Sequence, residues 1–322
     1  MAQYKVAVTD LRHKDYEPEA AVLKTIGAEL SLKHCTTEDE VITHVKDADG
    51  ILVNLAPMSA KVIRELKRCK VIARYGVGFD NVDVAAATEK KIWVTNVTDY
   101  CDEDVSDQAV TLLMSCVRKS VSRTIKIRAG EWNTSKNDQV FRIAGKTLGF
   151  VGFGRIARTM HRKMKGFNLG KFLAYDPFLP PNVAKEMGVE MVDLDTLISQ
   201  SDYISVHAPL TPQTKGIIGE KQFSIMKPNA ILVNTSRGPL IDEKAMYQAL
   251  RDKKINSAGL DVFVNEPIEK DNPLLTLDNA VLSDHQGWYS EESMVELKTK
   301  AARNIKEVLE GRPPLYPVNK LG

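Results

Sequence analysis

Three short segments carry side chains that could do chemistry together. Asn234-Thr-Ser-Arg237-Gly238, Asp261-Val-Phe-Val-Asn-Glu266-Pro267 and Ser283-Asp-His285-Gln-Gly287-Trp288 each follow a run that reads as a β-strand. Open α/β sheets bind ligands at such strand ends. Taken singly, each segment is ordinary: an arginine before a glycine is usually a solvated loop charge, Glu-Pro often just ends a strand, and a lone histidine is usually a satisfied polar group. Together they supply a fork-shaped cation, a carboxylate and an imidazole, the set that hydride transfer to a keto acid needs.

The hydride carrier has its own signal. In Gly149-Phe-Val-Gly152-Phe-Gly154-Arg155-Ile156-Ala157 a strand pattern runs into a helix pattern. Gly152 permits a tight turn, Gly154 lets the backbone approach a pyrophosphate, and Ala157 is small enough for close helix–strand packing. The helix opening near Arg155 aims backbone N–H groups and its positive dipole end at phosphate. Its spacing predicts an inner face of Ile156, Met160 and Met164. The next strand, Lys171–Tyr175, ends at Asp176, 22 residues beyond Gly154. An acidic residue about that far on accepts both hydroxyls of an adenine ribose and repels a 2′-phosphate, so NAD(H) is expected rather than NADP(H). A turn aspartate before Pro177 is the competing explanation for Asp176.

Elements that alternate along almost the whole chain position these residues. Tyr4–Val8, Gly50–Asn54, Val71–Arg74 and Trp93–Thr95 read as strands, with helical patterns at Glu17–Glu29, Ser59–Leu66 and Val82–Lys90 between them. A long helix starts near Cys101–Asp104, with carboxylates at its positive end and a stripe of Val105, Ala109, Leu112, Leu113, Cys116 and Val117. A second series follows at Thr147–Val151, Lys171–Tyr175, Tyr203–Val206, Ala230–Asn234, Ser257–Val262 and Ala280–Leu282. The last helix has Ser290 as N-cap and an apolar face of Met294, Leu297, Ala301, Ile305 and Val308. The fold class is therefore α/β with buried parallel strands.

Length and composition agree. The chain has 322 residues, which suggests two domains at about 150 residues each. Its 44 Lys+Arg against 42 Asp+Glu leave a net charge of +2, which gives no support to nucleic-acid binding through overall charge. No apolar run approaches the ~18 residues needed to span a bilayer. The opening residues read as a first strand rather than a secretory signal. Cys35, Cys69, Cys101 and Cys116 lie far apart, without metal-ligand spacing, and read as reduced thiols. A cytoplasmic protein with no metal, membrane or nucleic-acid partner is expected.

At these residues the chain resembles the D-isomer-specific 2-hydroxyacid dehydrogenases over essentially its whole length. Arg74-Tyr-Gly-Val-Gly78-Phe-Asp80-Asn81-Val-Asp83 is similar to the family's substrate-carboxylate loop, and Val206-His207-Ala-Pro209-Leu-Thr211 to its adenine-side loop. The Arg, Glu and His segments match its catalytic motifs in order. Asp99-Tyr100 and His285-Gln-Gly-Trp288-Tyr-Ser-Glu291 look most like the branch containing the C-terminal-binding-protein corepressors and their bacterial dehydrogenase relatives. One departure is Ser283-Asp284-His285, where Thr-Pro-His is common.

The resemblance implies two Rossmann-like or flavodoxin-like domains with the active site in the cleft between them. Residues 1–100, completed by 292–322, would form the substrate domain and residues 101–291 the NAD-binding domain. A homodimer through the cofactor domain and its long helix is implied as well. Arg237 would bind a 2-keto acid, His285 would donate the proton, and Glu266 would orient His285. Main-chain N–H groups of Val77 and Gly78 would hold the substrate carboxylate, while Leu55, Ala56, Tyr100 and Trp288 would line the substrate side. Gly152, Gly154, Arg155 and Ile156 would bind the pyrophosphate and Asp176 the ribose. His207, Ala208, Pro209, Thr214, Thr235, Ser236, Asp261 and Gly287 would complete the cofactor site, with Thr235 and Asp261 at its nicotinamide end. Two other readings stand beside this one. An NADH-responsive, corepressor-like binding protein is disfavoured because no extra interaction arm is evident. A phosphoglycerate-type dehydrogenase is disfavoured because Val53-Asn54-Leu55-Ala56-Pro57 has no basic residue until Lys61 and no regulatory domain follows the final helix.

Overall fold

A computed structural model describes residues 3–132 and 139–321. The chain divides into two compact units, Met1–Cys101 with Ser290–Gly322, and Asp102–Tyr289.

The first unit alternates β1 (Tyr4–Val8), α1 (Glu17–Lys24), β2 (Ala28–Leu32), α2 (Glu38–Val45), β3 (Gly50–Val53), α3 (Ala60–Arg64), β4 (Val71–Arg74), α4 (Val84–Glu89) and β5 (Trp93–Thr95). Its sheet is parallel in the order β2-β1-β3-β4-β5, the flavodoxin-like arrangement, which reverses between β1 and β3. β3 is buried along its whole length, as a central parallel strand should be. The helical pattern read over Glu17–Glu29 stops early. α1 ends at Lys24, Gly27 turns the chain at φ +67°, and Ala28–Leu32 pairs with β1 as an edge strand. Leu30 and Leu32 alternate with Glu29 and Ser31, a period of two that the preceding helical pattern obscures.

The second unit contains α5 (Asp102–Arg118), α6 (Ser120–Arg128), β6 (Thr147–Val151), α7 (Arg155–Met164), β7 (Lys171–Tyr175), α8 (Pro181–Glu186), β8 (Glu190–Met191), α9 (Leu194–Gln200), β9 (Tyr203–Val206), α10 (Glu220–Ile225), β10 (Ile231–Asn234), α11 (Glu243–Arg251), β11 (Ser257–Leu260) and β12 (Ala280–Leu282). The strand order β12-β11-β10-β9-β6-β7-β8 is that of a dinucleotide-binding sheet with one added strand, and it reverses between β6 and β9. The whole expected stripe of α5, from Val105 to Val117, is buried. α7 faces inward differently from expectation: Ala157, Met160, His161 and Met164 are buried, while Ile156 is half-buried. The inner face centres one residue further along because His161 is accepted among the rings of Phe150, Phe153 and Phe172.

The chain returns to the first unit through α12 (Glu291–Leu309). Ser290 caps it, its hydroxyl accepting the N–H of Ser293 at 2.9 Å. Leu297, Ala301, Ile305 and Val308 are buried; Met294 is only half-buried. Among the described residues no helix is long and apolar enough to cross a membrane.

Candidate active site

The glycine turn lies at the β6/β9 reversal of the second unit. Gly152 has φ +87°, and a Cβ on it would lie 2.6 Å from the backbone N of Ala208. Only glycine lets the β6–α7 turn approach the end of β9 so closely. Gly154 is the N-cap of α7, has no side-chain cap, and a Cβ there would meet nothing within 4 Å. Packing within the protein therefore does not account for a glycine at 154, whereas a pyrophosphate approaching the orphan N–H groups of the first turn does. Arg155 contributes its backbone to that turn, while its guanidinium pairs with Asp102 at 2.7 Å.

The carboxylate of Asp176 braces the same turn: Oδ2 accepts the N–H of Phe153 at 2.9 Å, and Oδ1 accepts that of Phe178 at 3.0 Å. Beyond β9, His207 shares a hydrogen bond with Ser205 through Nε2 at 2.8 Å, and burial pushes its pKa down to about 4, so the ring is neutral at pH 7. The hydroxyl of Thr214 donates to the carbonyl of Pro209 at 2.6 Å, and that of Ser236 to the carbonyl of Ala208 at 2.7 Å. Both thus shape the loops they were expected to offer to a cofactor. Thr235 differs from them. Its hydroxyl is buried without a hydrogen-bond partner, an orphan that a bound carboxamide or phosphate would satisfy. These residues fit a dinucleotide.

The catalytic candidates stand on the loops after β10, β11 and β12. Asn234 shapes the first, donating to the carbonyl of Arg237 at 2.9 Å and accepting the N–H of Ser236 at 3.0 Å. A Cβ on Gly238 would fall 2.0 Å from the carbonyl carbon of Phe263, so the Arg237 turn rests directly on the segment that leads to Glu266. Glu266 accepts the N–H of Phe263 through Oε1 at 2.9 Å and meets Nδ1 of His285 through Oε2 at 2.6 Å. Burial alone would raise its pKa. The bonds from His285 and Phe263, with the charges of His285 and Arg237, outweigh burial and hold it below the usual carboxylate value. With Nδ1 turned to Glu266, Nε2 is the ring nitrogen left for another partner.

His285 adopts a left-handed backbone at φ +57°, uncommon for a residue with a side chain. Its loop is over-determined by Asp261, which is buried. That carboxylate accepts the hydroxyl of Ser283 at 2.6 Å and the N–H groups of Gln286 and Gly287 at 3.2 and 2.9 Å. From α5, Gln108 donates to the Ser283 hydroxyl at 2.8 Å. The Asp261 carboxylate and the Gly287 N–H, two groups expected at the cofactor, tie down the histidine loop. The bond from Gln108 to Ser283 escaped sequence reasoning: Ser283 stands in the histidine segment, but no motif ties Gln108 to it.

In the first unit, Asp10 follows β1 and receives the N–H groups of Asn54, Leu55 and Ala56. Leu55 is 51% exposed, whereas Ala56, expected at the substrate, belongs to the unit's core. Its N–H donates to Asp10 at 3.0 Å and its methyl group packs in that core. Tyr100 is buried as well. The Val77 carbonyl accepts from Asn96 Nδ2 at 2.7 Å, fixing the Val77–Gly78 segment. In the second unit, Trp288 is half-buried and packs edge-on against Tyr289.

The profile of the D-isomer specific 2-hydroxyacid dehydrogenase NAD binding domain matches residues 110–287, which include the glycine turn, Arg237, Glu266 and His285. The chain belongs to this family. It is an NAD(H)-binding oxidoreductase of the 2-hydroxyacid dehydrogenases. It is 42% identical to a D-3-phosphoglycerate dehydrogenase of Methanocaldococcus jannaschii over 99% of its own length, and spans 61% of that relative. A glyoxylate reductase of Korarchaeum cryptofilum is 40% identical, with 87% of this chain and 85% of that one covered. Among solved structures, the holo form of D-mandelate dehydrogenase from Rhodotorula graminis has a TM-score of 0.90 at 29% identity, covering 100% of this chain and 99% of that one.

Proposed function

We propose that this protein is an NAD-dependent D-2-hydroxyacid dehydrogenase that reduces a 2-keto acid, with His285 as the proton donor. The observation that carries the proposal is the 2.6 Å pairing of His285 with a Glu266 kept ionised beside Arg237. Bound NADH supplies the hydride. Arg237 holds carboxylate and carbonyl oxygens with its planar fork, which a lysine lacks. His285 passes the proton on Nε2 to the carbonyl oxygen, and the ionised Glu266 favours the imidazolium that gives it. In the oxidative direction neutral His285 takes the hydroxyl proton at the same atom. Main-chain N–H groups of Val77 and Gly78 bind the substrate carboxylate. The Gly152–Ile156 turn holds the pyrophosphate, and Thr235 borders the nicotinamide end. The D configuration of the product rests on family membership.

The test is NADH oxidation against glyoxylate, pyruvate, hydroxypyruvate, phenylpyruvate and 2-ketoisocaproate, with chiral analysis of the products. Turnover to D-products is expected. NADH binding without turnover of any 2-keto acid would instead favour a corepressor-like binding protein.

The same reading includes a cytoplasmic homodimer joined through the second unit. α6 buries none of its residues and exposes Val121, Ile125 and Ile127, with Trp132 following. Exposed apolar side chains along one short segment suit a protein interface. All four cysteines are free thiols, as suits a reducing compartment.

A further inference from the structure

A residue with a side chain stays in the left-handed region, as His285 does at φ +57°, only where its surroundings over-determine it. The buried Asp261 carboxylate supplies part of that hold, through the N–H groups of Gln286 and Gly287 at 3.2 and 2.9 Å. A hydroxyl fixes the carboxylate in turn: Ser283 donates to Oδ1 at 2.6 Å. The same hydroxyl has a second acceptor, the Leu260 carbonyl, at 3.5 Å.

Gln108, half-buried on α5, stands over this hydroxyl. Its Nε2 donates to Ser283 Oγ at 2.8 Å and lies 3.5 Å from Asp261 Oδ1. An oxygen that gives its proton to a carboxylate offers only lone pairs elsewhere, so the amide fits with its NH2 side inward and not with Oε1. By filling the acceptor side of the hydroxyl, Gln108 leaves the Ser283 proton for Asp261. The helix that carries it is firmly seated. Leu112, one turn on from Gln108, packs so close to β11 that a Cβ on Gly259 would lie 2.8 Å from its own Cβ. A Cβ on Gly287 would lie 2.8 Å from Asp261 Oδ2 and 3.2 Å from Cγ of Gln108. Helix, strand and histidine loop close on one another with no space for a methyl group between them, all within the second unit.

We propose that Gln108 is a positioning residue for the proton donor: through Ser283 and Asp261 it fixes the His285 loop to α5. This role goes beyond the dehydrogenase reading above and rests on it, because it needs His285 to be the proton donor. Without the amide, the Ser283 hydroxyl is free to turn to Leu260, Asp261 loses its fixed donor, and Nε2 of His285 wanders from the line of proton transfer. Misalignment of that kind falls on the chemical step and spares binding.

The deciding experiment is a double-mutant cycle on kcat, run with whichever 2-keto acid of the panel above the wild type reduces fastest. Gln108→Met, which keeps the length of the side chain without its donor, and Ser283→Ala should each lower kcat by about tenfold. KM for the keto acid and the dissociation constant of NADH should stay within about twofold. The two changes together should cost no more than either alone, because both cut the same link. Ser283→Thr keeps the hydroxyl and should recover most of the kcat lost in Ser283→Ala. A folded Gln108→Met with near-normal kcat overturns the proposal, as do additive losses or a loss that appears in KM rather than kcat. In each of these cases wild-type turnover still upholds the dehydrogenase, whereas a wild type that reduces no 2-keto acid overturns both. Should Gln108→Met fail to fold, Gln108→Asn, whose amide is one methylene short of Ser283, decides in its place.

Discussion

At the β6/β9 reversal of the second unit, the first turn of α7 carries no side-chain cap and the space over Gly154 is open. At the β1/β3 reversal of the first unit, the corresponding loop has its N–H groups engaged by Asp10. Two sheets with the same topological crevice thus use it in opposite ways. One keeps its donors for an anion from outside; the other has supplied its own anion and gains a rigid wall. A second aspartate, Asp261, repeats the internal solution in the second unit, where rigidity is needed to hold His285. Open backbone donors mark the cofactor's phosphates, and carboxylate-filled loops mark the places where a side chain must be held still.

The largest effect expected from this contrast is on the chemistry. His285→Ala should lower kcat by roughly 10²–10⁴-fold, the usual range for general acid catalysis, with the NADH dissociation constant nearly unchanged. Near-normal turnover of the folded variant would remove the histidine loop from the reaction and break the contrast. Next in size is acid sensitivity. Both units bury an imidazole without a hydrogen-bond partner, His13 beside Tyr16 and Tyr75, and His161 among phenylalanines. Burial lowers the pKa of His161 from 6.5 to about 4, so the unfolded chain binds a proton that the folded one refuses. The stability is complete above pH 6.5 and is lost as pH falls toward 4, on the order of 3 kcal/mol. Urea titrations from pH 7.5 to 4.5 should show that slope, and His161→Phe should reduce it by one histidine's share, because burial also lowers His13 and His207 to about 4. A variant with the wild-type slope would mean that other groups dominate.

The glycine turn gives a finer test. Gly154→Ala should weaken NADH binding by about tenfold, near 1.4 kcal/mol, while leaving the melting temperature almost unchanged. Gly152→Ala should also destabilise the fold, by at least ~1–2 kcal/mol from the left-handed backbone alone. Calorimetry together with NADH titration separates the two. Equal losses of stability would show that the space over Gly154 is not kept for a ligand. The smallest effect is at Asp176, whose oxygens already brace Phe153 and Phe178. Asp176→Ala should narrow the preference for NADH over NADPH by about threefold, under 1 kcal/mol. If discrimination does not change and only the melting temperature falls, Asp176 is a structural brace.

Local signals made much of this readable from sequence. The α5 stripe, the Ser290 cap and the strand–glycine–helix unit each depend on residues within one or two turns of one another. The edge strand Ala28–Leu32 was hidden because its alternation follows without a break on a helical pattern. The shift from Ile156 to His161 on α7 was hidden because a histidine reads as polar until three aromatic rings surround it. The clamps were least legible. Asp10 meets Asn54 across 44 residues, and Gln108 meets Ser283 across 175. Short-range periodicity carries no record of bonds that only a completed sheet brings together.

The return of the chain through α12 bears on how the molecule is made. The first unit is assembled from both ends of the sequence. Lys298 on α12 is bonded to Asp15, Asn304 to Asn96, and Asn319 to the backbone of Ile92 and Val94. On the ribosome, the residues of Asp102–Tyr289 are all available before any of α12 has emerged. Synthesis and folding thus run in opposite orders, because the unit translated first is closed last. Until Leu309 leaves the exit tunnel, β3 and β4 lack the helix that covers one side of them, and for that interval an apolar face stands bare to other chains.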